Sequence, residues 1–553
     1  MAITENMHII VILGSIFLAF GWLFSSEYFP YSIDAAFHLR FSKVFMEAAL
    51  EKGGYPDWDA PVFDGCGCAS FRYYAPLVYI ITWCFQSVGV NETLSIKLTL
   101  LLFTLVAVYG LRKWFEVIEI PDLKNIATGI FLASAVLTVF IYRVTFLQNI
   151  CAFMLFPLFL KFLSDHEKNS HIKCALVFGT ICFTHVLAGY MIVFASIVLA
   201  LVFLLIKHDF SLIRRLAFSI AAGSLLASIY LLPALFTADE VHLKLIKWSK
   251  NHVIASAGTI PGFLNGRIEG SLFDILNRNT TTSVTVLFLI AAVFTLFAFM
   301  LAYLNILSSG KKPEFSEMNK ITLISGLGIA FLTLSQSMFL WKIIPEMLMV
   351  QYPYRWTFIA FILLLPSLAT VWRASLSNGK VLFNGLIIVL FVFPAVLIQY
   401  LSPFYNSELT RQSLEDSQHY PVEYLPATWN SEKEIQVKNN DFHRMLYDTS
   451  KIKISITEKN QESLGFNLEG NSTGETVIIR THFDNGWEMI NQSDKQLIPL
   501  RRTSEGYIEF FPPEKNSQLQ LTRKSPDWRL AGLIISLATL IFCLAGFLKP
   551  FKN

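Results

Sequence analysis

A polar segment of about fifty residues separates the first two apolar stretches of this chain, and it constrains the fold more than any other feature. Neighbouring membrane spans need only a short turn between them, so a segment of this length is expected to fold. Ionisable groups beside a bilayer are costly unless they have partners or chemical work. Among its ionisable side chains are Asp34, His38, Arg40, Asp57, Asp59, Asp64 and Arg72.

The whole chain has the composition of a polytopic membrane protein. Hydrophobic residues make up 54%, charged residues only 15%, and the mean hydropathy is +0.50. A soluble core does not absorb that much apolar side chain, so the sequence predicts an all-α polytopic fold of about 12–13 transmembrane helices. The apolar windows lie at roughly 8–24, 73–90, 94–111, 126–142, 146–163, 172–187, 188–206, 216–236, 283–305, 321–338, 356–372, 381–400 and 529–548.

The sequence also argues against some functions. It has no basic tract with interleaved aromatic residues, so no nucleic acid partner is expected. It has no G-x-x-x-x-G-K-[ST] motif, which disfavours an ATP-driven pump. The first apolar window lacks the flanks of a signal peptide and is interpreted as a retained span.

Lys and Arg predict the orientation of the spans. Basic residues at 112–113, 214–215, 311–312, 373–380 and 549–552 mark the cytoplasmic side. The loops 25–72, 237–282 and 339–355 and the polar region 401–527 then lie outside the cytoplasm. This arrangement leaves no room for both windows between 73 and 111 to cross. Either 73–90 is re-entrant or interfacial, or Arg112 is an exception to the rule.

Two further patterns divide the chain. The charge-free stretch from 175 to 206 is too long for one span and is expected to fold back near His185 to Gly189. Region 401–527 alternates polar and apolar residues between turn signals, which predicts a β-rich module. The predicted organisation is a transmembrane domain at 1–400, a module at 401–527 and a C-terminal anchor at 528–553.

The first polar segment begins with a predicted amphipathic helix from Asp34 to Leu50. Phe37, Phe41 and Phe45 recur at helical spacing, which favours a helix lying along the outer membrane surface. Asp34 and His38 share a face at positions i and i+4. Asp34 therefore either caps the helix with His38 as its partner, or acts as a general base assisted by the imidazole.

The same segment contains Cys66 and Cys68, whereas the other five cysteines lie in apolar windows. A disulfide across one intervening residue would be strained, and two thiols are a weak metal-ligand set. Cysteines left as thiols are the favoured interpretation. Trp487, in the β-rich module, is either a core residue or a platform for a sugar ring.

Several motifs, in order along nearly the whole chain, resemble those of GT-C type membrane glycosyltransferases. The resemblance is greatest to the bacterial integral membrane proteins labelled "6-pyruvoyl-tetrahydropterin synthase-related", although no soluble pterin-synthase architecture is visible. The motifs begin at Ser32 (S-x-D-x-x-x-H-L), Gly54 (G-x-Y-P-x-W), Gly65 (G-x-G), Tyr73 (Y-Y-x-P-L), Tyr142 (Y-R), Thr184 (T-H-V-L), Gln351 (Q-Y-P-Y-R-W), Phe483 (F-D-N-G-W) and Gly506 (G-Y-I).

This resemblance implies a cavity open to the outer leaflet of the bacterial cytoplasmic membrane. It implies a polyprenyl-phosphate-linked sugar donor and a glycan, lipid or protein acceptor. The first-loop aspartate of such enzymes is catalytic or binds metal, and it corresponds to Asp34, with His38 beside it. The chain departs from the pattern at Cys66 and Cys68, and at Asn149, where an acid is expected.

Cations are needed where a lipid phosphate departs, and an arginine fork suits phosphate. Arg355 is the first candidate, unless it is only an interfacial anchor. Arg143, His185, Tyr73 and Gln351 complete the predicted substrate-binding set.

A divalent cation is a weaker possibility. Asp34 with Asp239 and Glu240 would hold it, unless Asp239 and Glu240 merely begin a solvated loop. Three functions stay open at this point: a sugar transferase, a flippase or exporter, and a non-catalytic component of an envelope polysaccharide assembly system.

The predicted orientation can be tested directly. A cysteine introduced at Asn471, in a variant whose native cysteines are replaced, should react with a membrane-impermeant maleimide in intact spheroplasts, because region 401–527 lies outside the cytoplasm. A second cysteine placed beside Arg214 should react only after lysis. The opposite labelling pattern would reverse the orientation of the whole chain.

Overall fold

The computed structural model describes residues 2–30, 35–144, 147–241, 281–310, 313–377, 380–400, 402, 445–470, 474–513 and 516–548. Asp34 and the greater part of the loop 237–282 lie outside these residues.

Most of the described chain is helical. The α-helices are α1 (Ala2–Ser25), α2 (Ala35–Lys52), α3 (Val62–Gly65), α4 (Ser70–Tyr73), α5 (Leu77–Ser87), α6 (Glu92–Val117), α7 (Lys124–Leu132), α8 (Ala135–Val139), α9 (Leu147–Met154), α10 (Phe156–Ser164), α11 (Ser170–Thr184), α12 (Val186–Lys207), α13 (Ser211–Leu226), α14 (Ser228–Phe236), α15 (Thr281–Leu307), α16 (Glu317–Phe331), α17 (Met338–Ile343), α18 (Trp356–Leu376), α19 (Val381–Tyr400) and α20 (Asp527–Leu548).

The predicted fold class is confirmed. Within the described ranges, eight helices are long and apolar enough to cross a membrane, and α13 with α14 forms one further candidate that is bent by 78°. Shorter apolar helices lie at Ile12–Ser25, Leu77–Ser87 and Ser170–Thr184. A β-sheet module and a final apolar helix follow the helical part.

Helix α5 bears on the conflict over the window 73–90. Its eleven residues span about 16 Å, which is roughly half the thickness of a hydrocarbon core. The helix is therefore too short to cross, as the re-entrant or interfacial alternative requires. The apolar stretch from 175 to 206 is also broken where the sequence indicated, because α11 ends at Thr184 and α12 begins at Val186.

Small residues let the membrane helices approach closely. A Cβ atom on Gly110 of α6 would lie 2.5 Å from the backbone nitrogen of Leu158 in α10. A Cβ atom on Gly223 of α13 would lie 2.8 Å from the carbonyl oxygen of Ala175 in α11. The final helix α20 packs in the same way, since a Cβ atom on Gly532 would overlap the carbonyl of Ser228 in α14.

The β-module is a sandwich of two antiparallel sheets, and the alternation in the sequence predicts its strands correctly. One sheet has the order β1-β4-β8-β7 and the other β2-β3-β9-β5-β6. Inward-facing residues of β5 and β9 alternate with more exposed ones. The strands are β1 (Met445–Leu446), β2 (Ile452–Asn460), β3 (Ser463–Gly470), β4 (Val477–His482), β5 (Trp487–Asn491), β6 (Leu497–Ile498), β7 (Leu500–Arg502), β8 (Tyr507–Phe510) and β9 (Ser517–Arg523).

The first polar segment completes the core of this sandwich. Trp58 is fully buried among the strand residues and packs edge-on against Trp487, with ring centroids 5.4 Å apart. The backbone N–H of His482 donates to the carbonyl of Cys66 over 2.8 Å. Gly67 has φ +73°, and a Cβ atom there would overlap the Trp58 indole, which explains the second glycine of the G-x-G motif. The segment and the module are therefore packed as one unit.

Buried charges fasten this unit together around Asp57, which is fully buried. Its carboxylate accepts from Lys52 over 3.2 Å, lies 3.7 Å from Arg72 Nε, and accepts from Arg529 at the start of α20. Burial alone raises the pKa of Asp57, but Arg529, Lys52, Arg72 and Arg523 outweigh it and lower the pKa to about 2.

The backbone around Asp57 is held by the module as well. Glu462, between β2 and β3, accepts from the N–H groups of Asp57 at 2.5 Å and of Trp58 at 3.0 Å. Lys52 Nζ lies 2.6 Å from the other oxygen of Glu462. Nearby, Asp59 is paired with both terminal nitrogens of Arg40, at 2.9 and 3.1 Å. Partners are thus present for four ionisable groups of the first polar segment: Arg40, Asp57, Asp59 and Arg72.

One expectation about the first helix is wrong. Its apolar stripe does not lie along the membrane surface, because Phe37, Phe41 and Phe45 are buried in the protein. Phe41 contacts Phe71 and Tyr79, with ring centroids 4.9 and 4.5 Å apart. Helical spacing identifies an apolar face, but lipid and protein satisfy that face equally well.

Removing the central carboxylate should loosen the module from the first segment. Asp57→Ala leaves the partly buried Arg529 without this counter-charge and the buried Arg72 with Glu240 as its ion-pair partner, so we expect the free energy of unfolding to fall by about 3–5 kcal/mol. Thermal unfolding of the purified protein, followed by fluorescence of the buried Trp58 and Trp487, measures the change.

Lys451→Ala is the matched control, since it removes a solvent-exposed ion pair with Glu475 and should cost no more than about 1 kcal/mol. Low pH should destabilise the fold as Asp57→Ala does, because it protonates the Asp57 carboxylate. A carboxylate whose pKa is about 2 when folded and about 3.9 when unfolded stabilises the fold above pH 4 and loses that contribution as the pH falls toward 2. Equal effects of the two alanine variants would show that the Asp57 cluster does not hold the module.

Candidate functional site

Asp34, the predicted base, lies outside the described residues, immediately before α2 at Ala35. The capping and general-base interpretations both stay predictions. The described residues around α2 nevertheless show what surrounds the start of that helix.

His38 is a buried hydrogen-bonding link in the first turns of α2. Its Nδ1 lies 2.9 Å from the hydroxyl of Tyr79 in α5, and its Nε2 accepts from the backbone N–H of Leu147 over 3.2 Å. Because Nε2 is an acceptor, the proton is assigned to Nδ1. Burial lowers the pKa of His38 to about 3, so the ring is neutral at ordinary pH. His38 thus joins α2 to α5 and α9, and both ring nitrogens are engaged.

Arg143 precedes α9 in an unusual turn. Residues Phe140–Val144 form a π-helical turn, a geometry that is rare and frequent at functional sites. Arg143 is 1% exposed. Helix α9 starts four residues later at Leu147, which contacts His38. Arg143 therefore lies in the chain segment that leads directly to the His38 contact.

Arg355 lies just before α18 and is also buried. Its Nη1 donates to the carbonyl of Val350 over 3.0 Å, and its guanidinium lies 5.2 Å from the ring centroid of Tyr352. Tyr352 stacks on Tyr354 with centroids 5.2 Å apart. Gln351, four residues before Arg355, is half-buried and has φ +65°, a strained conformation for a residue other than glycine.

His185 occupies the break between α11 and α12. Its Nδ1 accepts from the N–H of Ala188 over 3.0 Å and caps α12, so the ring proton is assigned to Nε2. The side chain is only half-buried. The pKa of His185 is lowered, first by burial and then by the charge of Arg355 and by His38.

The structure thus connects His38 with the Arg355 segment through α9, because Leu147 is hydrogen-bonded to His38 and Phe153 stacks on Phe358 three residues after Arg355. Arg143 lies in the turn that precedes α9, and His185 begins α12. Arginine guanidinium groups surrounded by apolar and aromatic side chains attract an anion more strongly than they do in water. The two imidazoles beside them are neutral and act by hydrogen bonding. Such an arrangement can hold a phosphate next to neutral polar groups.

Tyr73, Asp239 and Glu240 lie elsewhere, at the junction of α4 and the end of α14. The hydroxyl of Tyr73 donates to the carbonyl of Thr237 over 2.6 Å. Arg72 Nη1 lies 2.8 Å from Glu240 Oε2. Burial raises the pKa of Glu240, and Arg72 opposes that rise. Tyr73 packs with the core shared by the first segment and the module.

These positions bear on the suggested divalent cation. Glu240 is engaged by Arg72, and Asp239 is exposed. In the described part of the chain, no three or more His, Cys, Asp and Glu side chains lie together as a metal site would require. The residues described here therefore do not fit a bound cation, and no chemical step is assigned to one.

Some partners escaped the sequence analysis. Tyr79 is hydrogen-bonded to His38, and Gln148 donates to the carbonyl of Ala75, but neither residue belongs to a sequence motif that indicates a role. The favoured interpretations of two other features agree with the structure. Trp487 is a core residue at 4% exposure, and Cys66 and Cys68 are buried thiols that no disulfide joins.

Comparison with known proteins gives only distant similarities. No family model and no curated protein matches the chain. A structure of the arabinofuranosyltransferase AftD from Mycobacteria is similar over 72% of this chain, with 13% identity and a TM-score of 0.45, and the chain spans 27% of the length of AftD. ArnT from Cupriavidus metallidurans is similar over 68% of this chain and 78% of its own, with 14% identity and a TM-score of 0.33. ArnT bound to undecaprenyl phosphate gives a TM-score of 0.30 at 14% identity, over 67% of this chain and 78% of its own. TM-scores below 0.5 do not establish a shared fold.

The His38 contacts predict a stability effect. His38→Ala leaves the Leu147 N–H and the Tyr79 hydroxyl without this partner in a buried setting, which should lower the free energy of unfolding by about 1–3 kcal/mol for each group. Tyr79→Phe, the matched variant, removes one of the two bonds and should cost less. The midpoint of thermal unfolding measures both. If His38→Ala is as stable as the wild type, the ring does not hold α2 to α9.

Proposed function

We propose that this protein is a membrane glycosyltransferase that moves a sugar from a polyprenyl-phosphate-linked donor to a glycan, lipid or protein acceptor. The acceptor and the site face the outer side of the bacterial cytoplasmic membrane. One observation carries the proposal: His38, in the helix that begins directly after Asp34, is hydrogen-bonded to α9, and α9 stacks on α18 directly after Arg355. The motifs that contain these residues are those that resemble GT-C type enzymes.

Asp34 is assigned as the base. Its carboxylate takes the proton of an acceptor hydroxyl while the hydroxyl oxygen attacks the anomeric carbon of the donor sugar. The bond between that carbon and the phosphate oxygen breaks, and its electron pair leaves with the polyprenyl phosphate. Attack from the face opposite the leaving group inverts the anomeric configuration.

Arg355 and Arg143 are assigned to the departing phosphate. Negative charge develops on the phosphate oxygens as the bond breaks, and buried guanidinium groups stabilise that charge. The stack of Tyr352 on Tyr354 holds the Arg355 segment rigid. Gln351, in the strained turn beside Arg355, is assigned to the donor as well.

The imidazoles position these groups. Neutral His38 fixes the first turns of α2, and therefore the approach of Asp34, through its bonds to Tyr79 and Leu147. His185 offers an Nε2–H donor beside Arg355, because its Nδ1 is taken by Ala188. Tyr73 is given no contact with the donor, because its hydroxyl is bonded to Thr237 and its ring packs in the core that the first segment shares with the module.

A donor screen tests this function. Purified full-length protein is incubated with undecaprenyl phosphate carrying glucose, N-acetylglucosamine or arabinose and with lipid and glycan acceptors, and release of undecaprenyl phosphate is measured. Asp34→Asn should lower turnover by at least about a hundredfold, since general-base assistance contributes about 10²–10⁴-fold. Its thermal unfolding should stay close to that of the wild type.

Arg355→Lys is the companion variant. It keeps the positive charge but loses the planar fork, so donor use should weaken while Asp34 is untouched. A lower turnover number would indicate contact with the departing phosphate, and a higher KM alone would indicate uniform donor binding. Wild-type turnover in Asp34→Asn removes that residue as the base. Absence of turnover with every donor, alongside transbilayer movement of the same lipids, would assign a flippase instead.

A further inference from the structure

Among the described residues, the buried amide of Asn149 in α9 has no hydrogen-bond partner. The side chain is 1% exposed, and neither its Oδ1 nor its Nδ2 has a hydrogen-bond partner among the described residues. The preceding residue, Gln148, is equally buried but donates to the carbonyl of Ala75. Burying an amide without partners costs about 1–3 kcal/mol, so the unfilled bonding capacity needs an explanation.

The position of Asn149 follows from its helix. Asn149 and Phe153 stand four residues apart and share a face of α9. Phe153 stacks on Phe358 of α18, with centroids 5.6 Å apart and an interplanar angle of 19°. Asn149 therefore lies one turn nearer to the start of α9, where Leu147 contacts His38.

Helix α18, which contacts α9 through this ring stack, is directly preceded by a residue assigned to the sugar donor, Arg355. Tyr354 stands four residues before Phe358, and Arg355 three residues before it. Helix α9 starts beside His38, which Leu147 contacts, and the stacked rings of Phe153 and Phe358 join α9 to α18. Asn149 and Arg355 thus each stand about one turn from this pair of rings, at the proposed donor phosphate site.

A purely structural role fits this residue poorly. The surroundings of α9 are apolar, and leucine has nearly the shape of asparagine without the desolvation cost. Residues that bind or react are commonly retained at the expense of stability. The orphaned amide is therefore better explained by a ligand than by the packing of the helix.

We infer that Asn149 binds a hydroxyl group of the donor's sugar ring, an inference that rests on the proposed function. An amide offers both a donor and an acceptor, and each sugar hydroxyl also offers both. A phosphate is an acceptor only and is matched by the arginines Arg143 and Arg355. Asn149 accordingly distinguishes the sugar-bearing lipid from the bare lipid phosphate.

The test compares two ligands on three proteins. Affinities for undecaprenyl phosphate and for the sugar-bearing lipid that is active in the donor screen are measured on the full-length wild type, Asn149→Leu and Asn149→Ala, together with their melting temperatures. The wild type should bind the sugar-bearing lipid about tenfold more tightly than the bare lipid. Both variants should lose that preference, keep the affinity for undecaprenyl phosphate, and melt no lower than the wild type.

Gln148→Leu is the matched control for stability, since it strips the Ala75 carbonyl of its partner and should melt at a lower temperature. A variant of Asn149 that keeps the wild-type preference overturns the inference. So does a fall in the melting temperature of both Asn149 variants comparable to that of Gln148→Leu, which would mean that buried water satisfies the amide. If the wild type itself prefers no sugar-bearing lipid, the proposed donor is refuted, and the inference falls with it.

Discussion

The buried carboxylate of Asp57 is the interaction on which the outer part of the molecule depends. Taking a charge out of water costs several kcal/mol, and only close counter-charges and hydrogen bonds repay it. Asp57 obtains them from Lys52 and Arg72 of the first segment and from Arg529 of the last helix. Glu462 of the β-module accepts from the backbone N–H of Asp57 and is paired with Lys52, so the first segment, the β-module and the last helix stabilise one another through this cluster. The shared hydrophobic core around Trp58 has the same consequence by a different physical effect.

This set fixes the first polar segment at its far end, and His38 fixes it at its near end. Helix α2 runs between the two attachments, with its apolar stripe buried against the aromatic residues of α5 and the segment itself. A helix held at both ends and along one face has little freedom to move relative to α9. The proposed base directly precedes α2. Of the proposed phosphate ligands, Arg143 precedes α9 and Arg355 precedes α18. The arrangement therefore favours a preorganised site, in which charge stabilisation does not wait for rearrangement.

Much of this fold can be predicted from local sequence signals, because they depend on neighbours in the chain. The helix expected from Asp34 to Leu50 is found at Ala35–Lys52, and alternating residues identify the strands of the module. Partners distant in sequence could not be predicted: no local pattern connects Asp57 with Arg529, or His38 with the N–H of Leu147. The expectation that the apolar stripe of α2 faces lipid is wrong for the same reason, because the side chains that cover the stripe cannot be read from helical spacing. At the candidate site, the motifs identified Arg355 and His185 as residues of interest, but the contacts that connect Arg355 with His38 through α9 required the fold.

The pairing of Asp57 with Arg529 also has a consequence for biosynthesis. The two residues are 472 positions apart, and Arg529 begins the helix that Gly532 packs against α14. At a synthesis rate of about 5–20 residues per second, roughly 25–90 seconds pass between the synthesis of Asp57 and the synthesis of Arg529, its last counter-charge. During that interval the first segment has emerged without the module that completes its core. The nascent chain therefore exposes a partly compensated, aromatic-rich surface until its final helix is inserted, and it is in that period that chaperones and proteases have access to it.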